Sequence, residues 1–127
     1  MTSQRPAILF LMSDARLRDV YVSRFERDGW VVDTASSLLD AERRAVQLRP
    51  AVFFIHHAFL EDAKLTFKRL RSLPTLLKTR IVVADKHLAR QDIDTVLAAG
   101  AHEVIITAHC SPDALLKRMN QLTQASL

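Results

Sequence analysis

Asp14, His56 and Asp85 each come after a continuous apolar run of the sequence. If these runs are parallel strands, their carboxyl ends meet at one edge of a sheet, which is where α/β folds place their ligands. Two carboxylates and one imidazole form a usable ligand set for Zn²⁺, Mn²⁺ or Fe²⁺. In the alternative we favour, His56 is a neutral structural plug hydrogen-bonded to Asp14 or Asp85. We therefore expect no bound metal and no cofactor.

The glycine and cysteine contents exclude several common chemistries. The chain of 127 residues has two glycines, Gly29 and Gly100, and one cysteine, Cys110. Neither glycine is followed by Lys and a hydroxyl residue, so there is no P-loop, and a motif of three glycines is impossible. A single cysteine cannot form an internal disulfide or a thiolate zinc cage. We interpret the pair His109 and Cys110 as accidental, assign no catalytic residue, and expect the protein not to be an enzyme.

The net charge of +4 is partly concentrated in one segment. Between residues 63 and 84 the chain carries cations with no acid among them, and aromatic residues do not alternate with these cations as they do in single-strand binders. We interpret the segment as a solvated helix face followed by a loop, and we expect this domain not to contact nucleic acid. Contact through residues 63–80 stays open as an alternative. The cations are Lys64, Lys68, Arg69, Arg71, Lys78 and Arg80.

Apolar runs alternate with amphipathic stretches along the whole chain. Runs without polar alternation indicate strands buried on both faces, as in a parallel sheet between helices. Gly29 and Gly100 come where helices are expected to end. The pattern predicts a (βα)₅ chain, an α/β three-layer sandwich in which polar residues, among them Asp33 and Thr34, follow the strands. Predicted strands are 7–12, 30–32, 51–55, 81–84 and 104–106; predicted helices are 14–28, 38–48, 62–73, one around 93–97 and one from 112 to 122.

The length and the apolar content fit one domain with its own core. We predict a domain over residues 7–124 and a disordered tail over residues 1–6. No apolar run approaches the roughly 20 residues that span a bilayer, and no signal peptide is evident. We therefore expect a cytoplasmic protein with a reduced Cys110 and no membrane contact.

The order of elements comes with five local landmarks between residues 7 and 122. With both, the chain resembles the receiver domains of two-component response regulators, which have a flavodoxin-like, doubly wound sheet of five parallel strands. The landmarks are Ile8-Leu-Phe-Leu11, Asp28-Gly-Trp-Val31, Arg49-Pro-Ala-Val52, Ala98-Ala-Gly-Ala101 and Ser111-Pro-Asp-Ala-Leu-Leu116.

The resemblance also assigns positions to the family's chemistry. Receivers use an acidic pair that holds Mg²⁺, an aspartate that accepts the phosphoryl group, a hydroxyl residue and a lysine. In that order, these positions fall on Met12 and Ser13 (followed by Asp14), His56, Asp85 and Thr107. None keeps the family's residue type. The resemblance therefore implies a degenerate pseudo-receiver that keeps the scaffold, lacks the acceptor aspartate and has left the phosphorelay chemistry.

We expect this pseudo-receiver to be a protein-binding or dimerisation module in bacterial signal transduction or regulation. In the family, the face built from the fourth helix, fifth strand and fifth helix commonly mediates contacts with partners or a second copy. Two alternatives remain: a divalent metal or small ligand at Asp14, His56 and Asp85, or nucleic acid at residues 63–80. Phosphorylation of His56 lacks supporting groups, and His57 is expected to face away from it. The candidate interface residues are Arg90, Asp94, His102, Glu103, Lys117 and Arg118.

Overall fold

The computed structural model describes residues 5–124, which form alternating strands and helices. The strands are β1 (Ala7–Leu11), β2 (Val31–Ala35), β3 (Val52–His56), β4 (Arg80–Asp85) and β5 (Glu103–Ile106). The α-helices are α1 (Ala15–Arg27), α2 (Leu38–Leu48), α3 (Ala63–Arg71), α4 (Arg90–Ala99) and α5 (Pro112–Gln124). Short 3₁₀ segments lie at His57–Phe59, Pro74–Leu76 and Thr107–His109.

The strands form one parallel sheet in the order β2-β1-β3-β4-β5. The chain first moves outward from β1 to β2 and then returns past β1 to β3, so the direction of winding reverses between β1 and β3. Right-handed crossovers on the two sides of this reversal place helices on opposite faces of the sheet. The predicted flavodoxin-like α/β sandwich of three layers is confirmed.

Alternate residues of each strand pack into two separate cores. In β3, Phe53 and Ile55 belong to the core beneath α2, α3 and α4. Val52 and Phe54 belong to the core beneath α1 and α5. All residues of β3 are buried because helices cover both of its faces. This double burial is why the strand is a continuous apolar run in the sequence.

Aromatic side chains fill the core beneath α1 and α5. The ring of Phe10 lies edge-on to Phe25 and Phe54, with centroids 5.5 and 5.2 Å apart. Tyr21 joins the group at 5.9 Å from Phe54. At the rim, the indole nitrogen of Trp30 donates to the side-chain oxygen of Asn120 at 3.1 Å. These contacts attach α1 and α5 to the sheet at the strands that bear the site described below.

Most helices begin at a side chain that caps the first turn. The side chains of Asp14, Ser37, Asp62 and Ser111 each accept a hydrogen bond from the backbone N–H three residues later. Such caps satisfy one of the four free N–H groups at a helix start. The start of α5 was predicted from Ser111 and the proline after it, and the structure confirms it.

The limits of several elements differ from the sequence prediction by one or a few residues; β3 and β4, for example, include His56 and Asp85, which were predicted to follow them. Asp33 and Thr34 were predicted to follow the second strand, which is wrong, because β2 continues through both to Ala35. The reason is that β2 is an edge strand, where half-exposed polar residues are tolerated. Of the predicted tail 1–6, residues 1–4 lie outside the described residues, and the Pro6 carbonyl accepts a hydrogen bond from the backbone of Val31. No helix among residues 5–124 is long and apolar enough to cross a membrane.

Gly100 ends α4 with a φ of 121°, a conformation that L-residues rarely adopt. A Cβ at this position would meet no atom within 4 Å, so the cost of a side chain is backbone strain alone. We expect Gly100→Ala to lower the free energy of unfolding by about 1–2 kcal/mol, measured by urea denaturation. Arg49→Gly is the reciprocal control, because Arg49 is a non-glycine residue with a left-handed φ of 52°. This substitution should lower the free energy of unfolding by less than Gly100→Ala does. Equal stability of Gly100→Ala and the parent protein would contradict this account.

Candidate functional site

His56 lies at the point where the order of strands reverses. It is the last residue of β3, next to the end of β1, and it is only 4% exposed. Its side chain lies on the same face of the sheet as that of Phe54, two residues earlier, with ring centroids 6.4 Å apart. Flavodoxin-like folds bind their ligands at this reversal. In this protein the position holds a buried imidazole.

Ser13 is the hydrogen-bond partner of His56. The backbone N–H of Ser13 donates to Nδ1 of His56 at 3.2 Å, and the Ser13 hydroxyl lies 3.2 Å from the same nitrogen. Because Nδ1 accepts a backbone N–H, the neutral ring carries its proton on Nε2. Nε2 is buried and has no hydrogen-bond partner among the described residues. The bond from the loop after β1 thus determines the tautomer of a ring in β3.

The surroundings of His56 favour the neutral ring. Burial lowers the pKa of His56 below its ordinary value, and the negative charges of Asp85 and Asp14 oppose that shift without cancelling it. A protonated imidazole would leave a charged N–H in an apolar core with no acceptor, which is costly. The ring is therefore uncharged at neutral pH.

Asp14 and Asp85 satisfy backbone groups of their own loops. Asp14 is exposed and caps α1, its carboxylate accepting from the N–H of Leu17 at 3.0 Å. Asp85 accepts from the N–H of Lys86 at 2.7 Å. The prediction that His56 pairs with one of them is wrong, because both carboxylates bind adjacent backbone N–H groups and Ser13 binds the ring instead.

The structure does not assemble the predicted metal ligands. Within residues 5–124 no group of three or more histidine, cysteine or acidic side chains is arranged to hold a metal ion. Met12 is 4% exposed and packs into the core beneath α1 and α5, so it presents a thioether to apolar neighbours. Thr107 begins the 3₁₀ segment after β5. The divalent-metal alternative at Asp14, His56 and Asp85 is therefore not supported by the geometry.

Tyr21 is a polar residue of this region that the sequence pattern did not identify. Its hydroxyl is buried without a hydrogen-bond partner among the described residues, in the same core as the His56 neighbour Phe54. Burial, and to a lesser extent the charges of Cys110 and Asp14, raise the pKa of Tyr21 to about 12. In the apolar periodicity of α1, Tyr21 counts as a core residue just as a phenylalanine would. Only its hydroxyl distinguishes it, and the periodicity does not report a hydroxyl.

The candidate interface residues fall into two groups. Arg118 donates through Nε and Nη2 to the two carboxylate oxygens of Glu103, at 2.9 Å each, and so joins α5 to β5. Arg90 and Asp94 form an exposed pair on α4, and Lys117 is exposed on α5. His102, which precedes Glu103 in the chain, contacts other partners.

His102 directly precedes β5 at the amino edge of the sheet, where it accepts a hydrogen bond. Its Nδ1 accepts from the N–H of Ile81 at the start of β4, at 3.0 Å, and lies 3.4 Å from Nη2 of Arg71. Burial and the positive charges of Arg71 and Arg80 lower the pKa of His102. Its partners therefore come from α3 and β4.

The basic segment 63–80 does not form one surface. Arg69 pairs with Glu42 of α2 at 2.6 Å. Arg71 donates to the carbonyls of Leu76 and Thr79 at 2.9 and 3.1 Å, which fastens the loop between α3 and β4. Two of the six cations therefore have structural partners. The predicted solvated helix face holds for Lys64, Lys68 and the exposed Arg69, whereas Arg71 is partly buried against the loop.

Comparison with known proteins identifies the fold. No family model matches the sequence, and no curated protein matches it. Among solved structures, the chemotaxis response regulator CheY4 of Vibrio cholerae is 18% identical, with a TM-score of 0.79 over 93% of this chain and 98% of its own. A CheY-like receiver domain from Methanospirillum hungatei is 14% identical, with a TM-score of 0.82 over 96% of each chain. The receiver domain of the sensor histidine kinase PA1611 from Pseudomonas aeruginosa, with magnesium coordinated in its active site cleft, is 14% identical, with a TM-score of 0.79 over 95% of this chain and 99% of its own. The chain therefore has the fold of CheY-like response regulator receiver domains.

The buried His56 makes stability depend on pH. In the unfolded chain a histidine titrates near its ordinary value of about 6.5, whereas folding lowers the pKa of His56. As the pH falls through about 6.5, His56 takes up a proton in the unfolded chain before it does so in the folded protein. The free energy of unfolding therefore falls. We expect urea denaturation between about pH 7.5 and pH 5.5 to show this loss.

His56→Gln should reduce the slope of stability against pH, and His57→Gln should leave it unchanged. His57 is the matched control because it is the next residue, only partly buried, in the 3₁₀ segment outside β3. Part of the slope should persist in His56→Gln, because the pKa of His102 is also lowered on folding. A slope that His56→Gln does not change would show that the ring is not the titrating group.

Proposed function

We propose that this protein is a receiver-fold interaction module that binds a protein partner or a second copy of itself, without phosphorylation at the acceptor position and without catalysis. The observation that carries the proposal is His56, which is buried at the switch point with Nδ1 occupied by Ser13. The proposal adopts the resemblance of the sequence to receivers and gives the altered positions a structural role.

The residues at the carboxyl edge do not suit a magnesium ion. Mg²⁺ requires near-octahedral oxygen ligands, usually including one or two carboxylates. Of the positions assigned to the acidic pair, Met12 offers a buried thioether, and Ser13 offers a hydroxyl that lies against His56. Asp14 is engaged as the cap of α1. The receiver domain of PA1611, by contrast, holds magnesium in its active site cleft.

The groups that would stabilise a transferred phosphoryl group are also missing. A phosphoryl transition state is stabilised by positive charge and hydrogen-bond donors directed at its oxygens. The position assigned to the hydroxyl residue carries the Asp85 carboxylate, which is negative, and the position assigned to the lysine carries Thr107. An incoming phosphate would therefore meet repulsion where receivers provide attraction.

His56 itself is a poor phosphate acceptor. A histidine attacks phosphorus through an unprotonated ring nitrogen that can reach the donor. Nδ1 faces Ser13, and Nε2 carries the proton and is buried. Both nitrogens are therefore unavailable, which supports a structural role for this ring.

The face of α4, β5 and α5 supports binding of a protein. Leu97 on α4 is 44% exposed, which places an apolar side chain on a surface that also carries exposed charges. The bidentate pair of Arg118 and Glu103 is held in a defined geometry between α5 and β5. Apolar anchors surrounded by oriented charges are typical of protein interfaces.

A titration with beryllofluoride and Mg²⁺ tests the absence of phosphoacceptor chemistry. We expect isothermal titration calorimetry to detect no saturable binding, because the acceptor position carries His56 and residues 5–124 assemble no metal-ligand set. CheY4 of Vibrio cholerae serves as the control protein of the same fold. Saturable binding to the present protein, or incorporation of phosphate from acetyl phosphate detected by mass spectrometry, would contradict the proposal.

Light scattering coupled to size-exclusion chromatography tests self-association through α4, β5 and α5. We expect the apparent mass to rise toward twice that of the monomer as concentration increases. Leu97→Glu should shift the equilibrium to monomer, because it places a charge in the apolar part of the interface. Leu65→Glu on α3, where the parent leucine is 64% exposed, is the matched control and should still dimerise. A strict monomer at the highest attainable concentration would contradict self-association and require a different protein as partner.

A further inference from the structure

A cleft opens at the amino edge of the sheet, opposite the edge that bears His56. It is formed where β1, β2, β3 and β4 begin and where α2 and α5 end, and its volume is about 790 Å³. This volume lies within the range of small-molecule sites. Exposed Val31 and Pro6, together with buried Pro50, give the cleft an apolar part. Its size and its mixed lining are those of a site for a small organic molecule.

The charges that line this cleft are all positive. Arg5, Arg49, Lys78 and Arg80 contribute to the lining, and no acidic side chain does. None of these four cations has an ion-pair partner within residues 5–124. Arg71 lies close to the same edge, where burial and, after it, the positive charge of Arg80 lower the pKa of Arg71. The fold thus gathers like charges that repel one another and leaves them without a counter-charge.

Two buried polar atoms of the lining residues lack partners. Nε of Arg80 and Oγ1 of Thr75 are both buried, and neither has a hydrogen-bond partner in the described part of the chain. The neighbouring Thr79 shows the contrast, since its hydroxyl donates to the carbonyl of Pro50 at 2.7 Å. An unsatisfied buried polar group is costly, and both residues also line the cleft.

The helix ends explain only part of this positive charge. The carboxyl ends of α2 and α5 border the cleft, and each carries a partial charge of about −0.5. Two such ends offset about one of the four cations. The remaining positive charge has no counterpart in the described chain, so a bound anion accounts for it better than the helix dipoles do.

We propose that this cleft binds a small organic phosphate. The guanidinium groups of Arg49 and Arg80 present paired N–H donors that match phosphate oxygens, and Lys78 adds a compact charge. The apolar part around Val31 and Pro50 accepts the organic group. The concave shape and the lack of aromatic residues in the lining favour a small phosphate over a nucleic-acid strand, which requires a groove with stacking side chains.

The test is calorimetric titration of the full chain with ADP, inorganic pyrophosphate, adenosine and citrate. We expect ADP and pyrophosphate to bind saturably, adenosine not to bind, and citrate to bind more weakly than pyrophosphate. Arg49→Gln and Lys78→Gln should each weaken ADP binding by about tenfold or more, as expected for loss of a charged hydrogen bond. Arg16→Gln is the matched control, because Arg16 is an exposed cation at the start of α1, which begins at the opposite edge of the sheet.

Several results would overturn the proposal. Absence of saturable binding by ADP and pyrophosphate would do so, as would equal loss of affinity in Arg16→Gln and Arg49→Gln, which would indicate unspecific attraction by net charge. Tighter binding of an oligonucleotide than of ADP, with a steep dependence on salt, would assign the surface to nucleic acid instead. Circular dichroism melting of each variant establishes that it is folded, and Lys78→Gln, at an exposed position, keeps the test valid if Arg49→Gln unfolds.

Discussion

The burial of β3 on both faces is the constraint on which the rest of the structure depends. Because every residue of this strand is buried, helices must cover both faces of the sheet, and alternate side chains must enter two separate cores. The constraint extends to the last residue of the strand, so His56 is only 4% exposed. A ring in that position must be neutral, and Ser13 from the neighbouring loop supplies its hydrogen bond. The same burial therefore determines the layers of the fold and the protonation of the residue at the switch point.

The features that could be predicted from the sequence are those that depend on local pattern. Continuous apolar runs indicated the buried strands, and Gly29 and Gly100 indicated helix ends, because each pattern reflects the residue's own surroundings. The length of β2 was missed, because Asp33 was interpreted as the residue after the strand. A polar residue of this kind is tolerated within an edge strand. The partner of His56 was missed because several groups compete for the same hydrogen-bonding side chains. Asp14 caps α1, and the choice between that cap and the imidazole depends on three-dimensional distances that spacing does not report.

The two edges of the sheet treat their polar groups in opposite ways. At the carboxyl edge, Asp14 and Asp85 satisfy nearby backbone N–H groups, and Ser13 satisfies one nitrogen of His56. At the amino edge, Arg71 is used to fasten a loop, while Arg80 keeps a buried Nε without a partner in the described chain. Nε2 of His56 and the Tyr21 hydroxyl lack partners in the described chain, but the carboxylates of the first edge are bound by the chain's own backbone. The second edge retains hydrogen-bonding and charge capacity that the described chain does not use.

The difference between the two edges determines where a bound ligand would raise the free energy of unfolding. Carboxylates gathered in one pocket repel one another until a cation binds, so a pocket of that kind couples ligand binding to stability. Met12 and His56 place a thioether and a neutral ring at the carboxyl edge, and this removes such repulsion there. Repulsion between like charges is found instead at the amino edge, between Arg71 and Arg80. An anion bound at that edge would relieve this repulsion. By the same coupling it would stabilise the folded protein, including β3, which ends at His56, and β1, which Ser13 follows.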